Sequence, residues 1–252
     1  MAMSAPRSHA PMPPAAAPAR PVVVSVGGSV LLRGDHDGEY LRGLAALLRR
    51  LGRTVPIVVT TGGGRTAREY IRLGTELGLT SVELDELGID VTRLHARLLA
   101  GQVGLPTASH PPTTVREAVE AVRHGSPVIL GGTEPGHTTD AVAALVAVRL
   151  RAARVVNATD VDGLYEADPK THPGAARLDR IEWPKMLEML RRSTGGTPGE
   201  NFPFDRLGAE SLARAGIPLA IVAGRDLENL ARAIEGASFL GTLVGRPEGG
   251  PG

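Results

Sequence analysis

Three short apolar segments, each ending in two or three glycines, constrain the fold of this chain more than any other feature. They are PVVVSVGG, PIVVTTGGG and SPVILGG, which begin at Pro21, Pro56 and Ser126. Apolar, β-branched runs bounded by glycine are typical of strands buried on both faces of a sheet. Two further runs, at 153–163 and 217–224, predict a fourth and a fifth strand.

Segments with the apolar spacing of helices separate these strands. We predict helices at 39–51, 65–77, 85–103, 114–125, from 139 onward, and at 183–190, 205–215 and 227–236, with a loop or short hairpin at 164–180 and a closing edge strand at 241–245. Alternating strands and helices indicate an α/β fold, a three-layer αβα sandwich around a mostly parallel sheet. No linker or repeat divides residues 21–252, so we expect one domain. Ligands of such sheets bind at the carboxyl ends of the strands, where the glycines lie.

Composition excludes several functions. The chain has 252 residues and a net charge of +1, whereas nucleic-acid binders usually carry a basic stripe. The absence of cysteine excludes thiol nucleophiles and cysteine–zinc sites, and the seven histidines show no metal-binding spacing, so no protein-held metal is expected. No apolar run is long enough to cross a membrane. Residues 1–20, rich in Ala and Pro, predict a disordered tail and a cytoplasmic protein, with an organellar transit peptide as the alternative.

The glycine turns indicate phosphate binding, because glycine lets backbone N–H groups approach an anion and a following helix adds its positive end. Three common motifs are nevertheless missing: the P-loop GxxxxGK[ST], the dinucleotide-binding GxGxxG and the hydrolase GxSxG. The remaining interpretation is a fold that holds phosphates through several short glycine turns. For any single turn, a simple reversal of the chain is the alternative.

Six segments carry a resemblance to a known family. In chain order they are SVGGSVL (25–31), TTGGGRTAREYI (60–71), DELGIDVTRLHARLL (85–99), GGTEPGHTTDAVAALVA (131–147), NATDVDGLYEADPKTHP (157–173) and GENFPFDRLGAESLARAGI (199–217). The chain resembles the amino acid kinase family over about 21–245, and within it the archaeal-type uridylate kinases. The resemblance implies Mg²⁺-dependent phosphoryl transfer from ATP to UMP, giving UDP for pyrimidine nucleotide synthesis. It also implies an acceptor-binding half at about 21–150, an ATP-binding half at about 151–245, and a homo-oligomer, a hexamer in the uridylate kinases.

The same resemblance implies roles for individual residues. The catalytic group comprises Gly27 and Gly28, which face the transferring phosphoryl group, and Asp160, which organises the centre and its Mg-nucleotide. The substrate-binding residues are Gly62, Gly63, Gly64, Arg68, Asp85, Thr138 and Thr139. The ATP-binding residues are Thr159, Asp162, Gly163, Tyr165, Asp168, Pro169 and Lys170. Structural alternatives are a solvated charge for Arg68, helix capping for Asp85 and the threonines, and plain packing for Tyr165.

The chain departs from the family pattern at two positions where many members have lysine. Ser25 precedes the first glycine pair, and Glu210 reverses a charge in the ATP-binding half. Lys170 and Arg206 are candidate substitutes. Because phosphoryl transfer depends on charge neutralisation, two alternatives stay open at this point. One is a kinase for another phosphate, phosphonate or carboxylate; the other is a non-catalytic relative that binds a nucleotide or anion.

Overall fold

The computed structural model describes residues 19–34, 36–122, 126–167, 172, 174–193 and 202–246. Most of the predicted tail therefore lies outside the described residues, as do Asp168, Pro169 and Lys170. Arg20, at the start of the described chain, is anchored because its Nε donates to the carbonyl of Arg151 at 2.9 Å.

A seven-stranded sheet forms the middle layer. Its strands are β1 Val22–Val26, β2 Ile57–Thr61, β3 Val128–Leu130, β4 Arg154–Thr159, β7 Arg180–Ile181, β8 Leu219–Ala223 and β9 Thr242–Val244; a separate hairpin pairs β5 Leu164–Tyr165 with β6 Arg177–Leu178. The order across the sheet is β3-β2-β1-β4-β8-β9-β7. Every pair is parallel except β8 with β9. The predicted parallel sheet is thus confirmed.

Helices cover both faces of the sheet, which confirms the three-layer sandwich. They are α1 Gly28–Leu31, α2 Asp37–Leu51, α3 Gly64–Glu76, α4 Ser81–Val103, α5 Val115–Ala121, α6 Thr139–Leu150, α7 Trp183–Ser193, α8 Arg206–Ala215 and α9 Leu227–Glu235. Buried residues of α2, α4 and α9 form one core with the sheet, and those of α5, α6, α7 and α8 form the other.

The strands bury both faces because their side chains alternate between the two cores. In β1, Val22, Val24 and Val26 enter the first core and Val23 enters the second. Ser25 follows the alternation of Val23 and is only 1 % exposed. Burying a hydroxyl among apolar side chains costs free energy unless the hydroxyl is hydrogen-bonded. Ser25 is therefore a candidate functional residue.

The strand order reverses between β1 and β4. From β1 the chain builds β2 and β3 on one side, and it then returns to build β4 and β8 on the other. Such a switch point opens a crevice at the carboxyl ends of the two strands, which is where open α/β sheets bind ligands. The five parallel strands therefore bring their terminal residues to one edge of the sheet, referred to below as the carboxyl edge.

One sequence prediction needs correction, and another is confirmed. The segment at 241–245 does form a strand, but β9 lies between β8 and β7, because the short strand β7 pairs with it and takes the edge. Within 164–180, the predicted hairpin is present as β5 and β6. Among the described residues, no helix is both long and apolar enough to span a bilayer.

Candidate active site

Two glycine turns meet in direct backbone contact at the carboxyl edge. A Cβ atom added to Gly28 would lie 2.0 Å from the amide nitrogen of Gly64, and one added to Gly62 would lie 2.6 Å from the nitrogen of Gly28. Gly64 also has a backbone φ of +57°, which residues with a side chain rarely adopt. Glycine is required here because the predicted phosphoryl-side turn and the predicted acceptor-side turn leave no room for a side chain between them.

Hydrogen bonds decide which amides of these turns can serve a ligand. The N–H of Gly27 donates to the carbonyl of Ala158 at 2.9 Å, and that of Gly62 donates to the carbonyl of Val26 at 2.8 Å. Gly27 and Gly62 therefore extend the parallel ladder, and their amides are already used. The amides that follow, at Gly28, Gly63 and Gly64, are the ones left to face a ligand.

The helices that begin at these turns differ from most others in their capping. Threonine or aspartate side chains accept from the first turns of α4, α5, α6, α8 and α9. In contrast, α1 and α3 begin at Gly27 and Gly63 with no side-chain cap. The first N–H groups of a helix have no acceptor within the helix, so the uncapped start of α3 presents donors to an anion.

Arg68 and Asp85 lie on the acceptor side of the two turns. Arg68 is exposed on α3, one helical turn beyond Gly64, and within the described residues it makes no ion pair, whereas Arg65 pairs with Glu69 at 3.5 Å. Asp85 lies within α4, whose cap is Thr80, so the capping alternative for Asp85 is wrong. Its Oδ2 instead accepts from the amide of Gly136 at 2.8 Å.

Thr138 and Thr139, at the start of α6, have different structural roles. Thr138 is the cap: its hydroxyl accepts from the amide of Ala141 at 3.1 Å and donates to the carboxylate of Asp205. Capping, which was the structural alternative, therefore accounts for part of what Thr138 does. Thr139 is half-buried in the first turn of α6. Both residues lie at the start of α6, which follows β3 and its glycine pair at the carboxyl edge.

Asp140 is a site residue that the sequence predictions missed. Ser25 Oγ donates to Asp140 Oδ1 at 2.7 Å, so the serine that replaces the family lysine is bonded to a carboxylate. Loss of hydration, together with the charge of Asp205, raises the pKa of Asp140 to about 7, although the hydrogen bond from Ser25 opposes the shift. Asp140 is visible in the sequence as the last residue of the TTD motif. Its partners Ser25 and Asp205, however, are 115 and 65 residues away along the chain, so the motif alone does not indicate these contacts.

A buried polar row lies beneath Asp140. Ser25 pairs in register with Thr60 on β2 and with Asn157 on β4, and all three are at most 2 % exposed. Asn157 donates to the carbonyl of Pro203, in the segment that leads into α8. Three polar side chains across the central strands are expensive to bury, so their presence indicates a functional requirement at this level of the sheet.

Thr159 ends β4 and Asp160 follows it, next to the turn of Gly27. Asp160 is exposed, and its carboxylate accepts from the Thr159 hydroxyl at 3.2 Å. On the far side, the amide of Gly224 donates to the Thr159 carbonyl at 2.8 Å. The carboxylate predicted to organise the centre thus lies at the switch point with open access to a ligand.

The predicted ATP-binding residues after Asp160 form a small network. Tyr165 donates its hydroxyl hydrogen to Asp162 at 2.9 Å, and Arg177 of β6 donates to the other Asp162 oxygen at 3.2 Å. Gly163 has φ +149 and lies against Thr242, which leaves no space for a side chain. Arg177 is a second residue that sequence reasoning missed, since only the β5–β6 pairing brings it here.

Arg206, one of the two candidate substitutes for the missing lysines, pairs with Glu210 on α8. Arg206 Nε donates to Glu210 Oε1 at 2.7 Å across one helical turn. Their neighbours across the groove towards α7 include Leu187 and Arg191. The structure therefore places Glu210 in a partly exposed ion pair on α8, whereas Lys170, the other candidate substitute, lies outside the described residues.

An ionic cluster closes the β8 side of the carboxyl edge. Arg225 pairs with Asp37 at 2.5 Å, and its guanidinium stacks 4.3 Å from the centre of the Tyr40 ring. Tyr40 donates to the carbonyl of Gly224 at 2.9 Å. Hydrogen bonds from Arg225 and from the amides of Arg33 and Gly34 lower the pKa of Asp37, although loss of hydration opposes them. This cluster joins the start of α2 to the end of β8.

Fold and site together define an α/β protein in which two glycine turns meet at the switch point of the sheet, the place where such sheets bind their ligands. The sequence model of the amino acid kinase family matches residues 20–223. The uridylate kinase of Methanothermobacter thermautotrophicus is 40% identical over 223 residues, which cover 88% of this chain and 98% of the relative. That of Methanoculleus marisnigri is 40% identical over 225 residues, covering 88% and 94%.

Solved structures agree with these relatives. The crystal structure of uridylate kinase from Archaeoglobus fulgidus superposes with a TM-score of 0.77 at 37% identity, covering 88% of this chain and 99% of that one. The UMP kinase of Bacillus anthracis, at 20% identity and a TM-score of 0.72, covers 91% and 97% and shares the fold. This chain belongs to the amino acid kinase family.

Proposed function

We propose that this chain transfers the γ-phosphoryl group of ATP to UMP, giving ADP and UDP. The relatives named as uridylate kinases support this activity, because they match nearly their whole length. The observation that carries it is the backbone contact between the turn of Gly28 and the turn of Gly64. Two phosphate-binding turns in contact bring a donor and an acceptor phosphate within reach of each other, as direct transfer requires.

The two halves of the chain have separate tasks in this proposal. Residues of about 21–150 bind UMP, and residues of about 151–245 bind ATP, with β1 and β4 meeting between them. The UMP phosphate lies against the amides of Gly63 and Gly64 at the start of α3. Arg68, one turn further on, supplies a guanidinium that can hold two phosphate oxygens at once.

The uridine and adenosine ends are held further from the two turns. Asp85, which fixes the amide of Gly136, borders the uridine side with Thr139. On the ATP side, Asp162, Gly163 and Tyr165 border the nucleotide. ATP then lies across the end of β4 with its γ-phosphoryl group towards the amide of Gly28.

The carboxylates at the edge fit Mg²⁺. Asp160 is exposed there, and Asp140 and Asp205 form a second acidic group. Mg²⁺ prefers oxygen ligands and is commonly held by one or two carboxylates together with the phosphates it arrives on. Among the described residues no cluster of three or more metal-ligating side chains occurs, which suits an ion carried by ATP. When bound, Mg²⁺ neutralises charge on the transferring phosphoryl group; Asp160 orients its nucleotide.

Charge neutralisation in this chain then depends on groups other than lysine. Ser25 occupies the position of one family lysine and binds Asp140, so that a neutral hydroxyl lies beneath the site. The remaining positive contributions come from the amides of the two turns, which act without reorganisation because the backbone fixes them, and from the guanidinium of Arg68.

A coupled assay of ADP release tests this function. UMP, CMP, other phosphorylated acceptors and amino acids are each supplied with Mg-ATP, and we expect turnover with UMP and far less with the others. Asp160→Asn should lower kcat by about a hundredfold or more while the thermal unfolding transition is kept. Tight ATP binding without turnover on any acceptor would instead identify a non-catalytic relative.

We further propose a homo-oligomer that forms through α3 and α4. Their outer surface exposes an apolar face, comprising Tyr70, Leu73, Leu77, Val82, Leu94 and Leu98. Exposed apolar patches of this kind mark protein–protein contacts, and a second copy of the chain is the partner that the family suggests. Light scattering after gel filtration should give a multiple of 26.3 kDa, and Leu94→Asp with Leu98→Asp should lower it. A wild-type monomer at working concentrations would refute the oligomer.

The nucleotide substrates suggest the cytoplasm as the place of action. This part of the proposal is tested by locating a tagged full-length chain in cells. A membrane or organellar location would contradict it and would direct attention to the first twenty residues.

A further inference from the structure

His95 is a buried polar side chain beneath the acceptor-side turn. It lies on α4 and is 2 % exposed, and its Nδ1 is 2.8 Å from the carbonyl oxygen of Gly62. A carbonyl oxygen can only accept, so Nδ1 carries the hydrogen and donates it. A buried histidine that donates to a glycine carbonyl fixes the orientation of that one peptide group.

The orientation of this peptide determines where its amide points. The carbonyl of Gly62 and the N–H of Gly63 belong to one planar peptide unit, and no cis peptide occurs among the described residues. In a trans peptide the two groups point in opposite directions. Because the carbonyl is held towards His95, the N–H of Gly63 is held pointing away from α4.

Neighbouring residues of α4 and β2 keep this arrangement rigid. Thr61 Oγ1 donates to the carbonyl of Thr92 at 2.9 Å, and Thr92 Oγ1 accepts from the amide of Gly132 at 2.6 Å. One side of α4 thus binds both the β2 turn and the β3 turn. A glycine turn has the greatest freedom to rotate its peptides, so these bonds are what define its conformation.

We infer that His95 is a positioning residue for acceptor binding, which holds the Gly62–Gly63 peptide so that the Gly63 amide donates to the phosphate of UMP. The inference deepens the proposed function and depends on it. His95 touches no substrate itself. Its effect is specific to the phosphate, because the uridine end of the acceptor is bound by other residues.

The test compares UMP with uridine, which lacks the phosphate, on His95→Leu and His95→Asn. Leucine fills the space but removes the donor, and asparagine keeps an N–H at a similar distance from the backbone. We expect His95→Leu to weaken UMP binding about ten- to hundredfold, the range for a hydrogen bond to a charged group, and to leave uridine and ATP binding unchanged. His95→Asn should stay close to wild type for all three ligands.

If His95→Leu does not fold, His95→Gln replaces it as the variant that loses the bond. Its polar amide suits a buried polar site, but its N–H lies one methylene further from the backbone than Nδ1 and is therefore displaced from the Gly62 carbonyl. Dissociation constants by ligand-observed NMR and unfolding by circular dichroism are measured for every variant. Unchanged UMP affinity in a folded Leu or Gln variant, or equal losses for UMP and uridine, would overturn the inference. A wild type with no preference for UMP over uridine would instead count against the proposed function.

Discussion

Replacing Gly28 by alanine tests the contact between the two turns most directly. The new Cβ would lie 2.0 Å from the nitrogen of Gly64, whereas ordinary contact begins at 3.4 Å. The nearest atoms are backbone of Gly63 and Gly64, so no side chain can rotate away. The turns must therefore separate by roughly 1 Å, a misplacement that can lower the rate about a hundredfold.

Gly27→Ala is the matched control for this experiment. Its Cβ would meet nothing closer than the carbonyl of Ala158 at 3.4 Å, and its φ of −55 suits alanine. Its amide remains bonded to β4. Although the family resemblance implies a catalytic role for Gly27, its amide is used by the sheet, so we expect Gly27→Ala to retain kcat. Gly28→Ala should lose kcat together with about 1–3 kcal/mol of stability from overpacking.

Steady-state kinetics with UMP and Mg-ATP, and urea unfolding of both variants, separate the outcomes. A Gly28→Ala protein with wild-type kcat would show that the turns need not touch for transfer. Equal losses in both variants would show that the effect reflects general strain in the β1–α1 turn. Either result would refute the assignment of this contact as the meeting point of donor and acceptor.

Three further predictions concern charged groups. Because the pKa of Asp140 is raised to about 7 in the folded state, the contribution of this group to stability is present at acidic pH and lost as the pH rises through 7. Asp140→Asn should remove that loss and should also lower kcat. Between pH 5 and pH 8 its free energy of unfolding should rise by roughly 2–4 kcal/mol relative to that of the wild type. The same pH dependence of urea unfolding in both proteins would contradict this prediction. Arg68→Ala should raise the KM for UMP about tenfold or more. Arg65→Ala should leave this KM unchanged, because Arg65 is already paired with Glu69. Equal effects of the two substitutions would contradict the assignment of phosphate binding to Arg68. Glu210→Lys should leave kcat unchanged because Glu210 pairs with Arg206 on α8, and a faster enzyme would mean that the missing lysine limits the rate.

The sequence determined the layers of this fold and the edge that carries the site. Strands such as PVVVSV are recognisable locally, because burial on both faces requires an unbroken apolar run. Their glycines point to the carboxyl edge for an equally local reason, since only glycine permits the close backbone approach seen at Gly28. The family membership inferred from six short segments is confirmed by the relatives, although the roles of individual residues remain predictions.

Only the tertiary structure decided which groups meet and where each amide points. Asp140 acquires its raised pKa from burial and from the charge of Asp205, against the opposing hydrogen bond from Ser25, and no local pattern encodes contacts made across such distances in the chain. The amide of Gly27 belongs to the sheet, and His95 fixes the amide that follows Gly62, because strand register and helix packing set peptide orientations. The residue types predict which edge of the sheet binds phosphate. Which backbone amides are available as donors there, and which carboxylates are charged, depends on the tertiary structure.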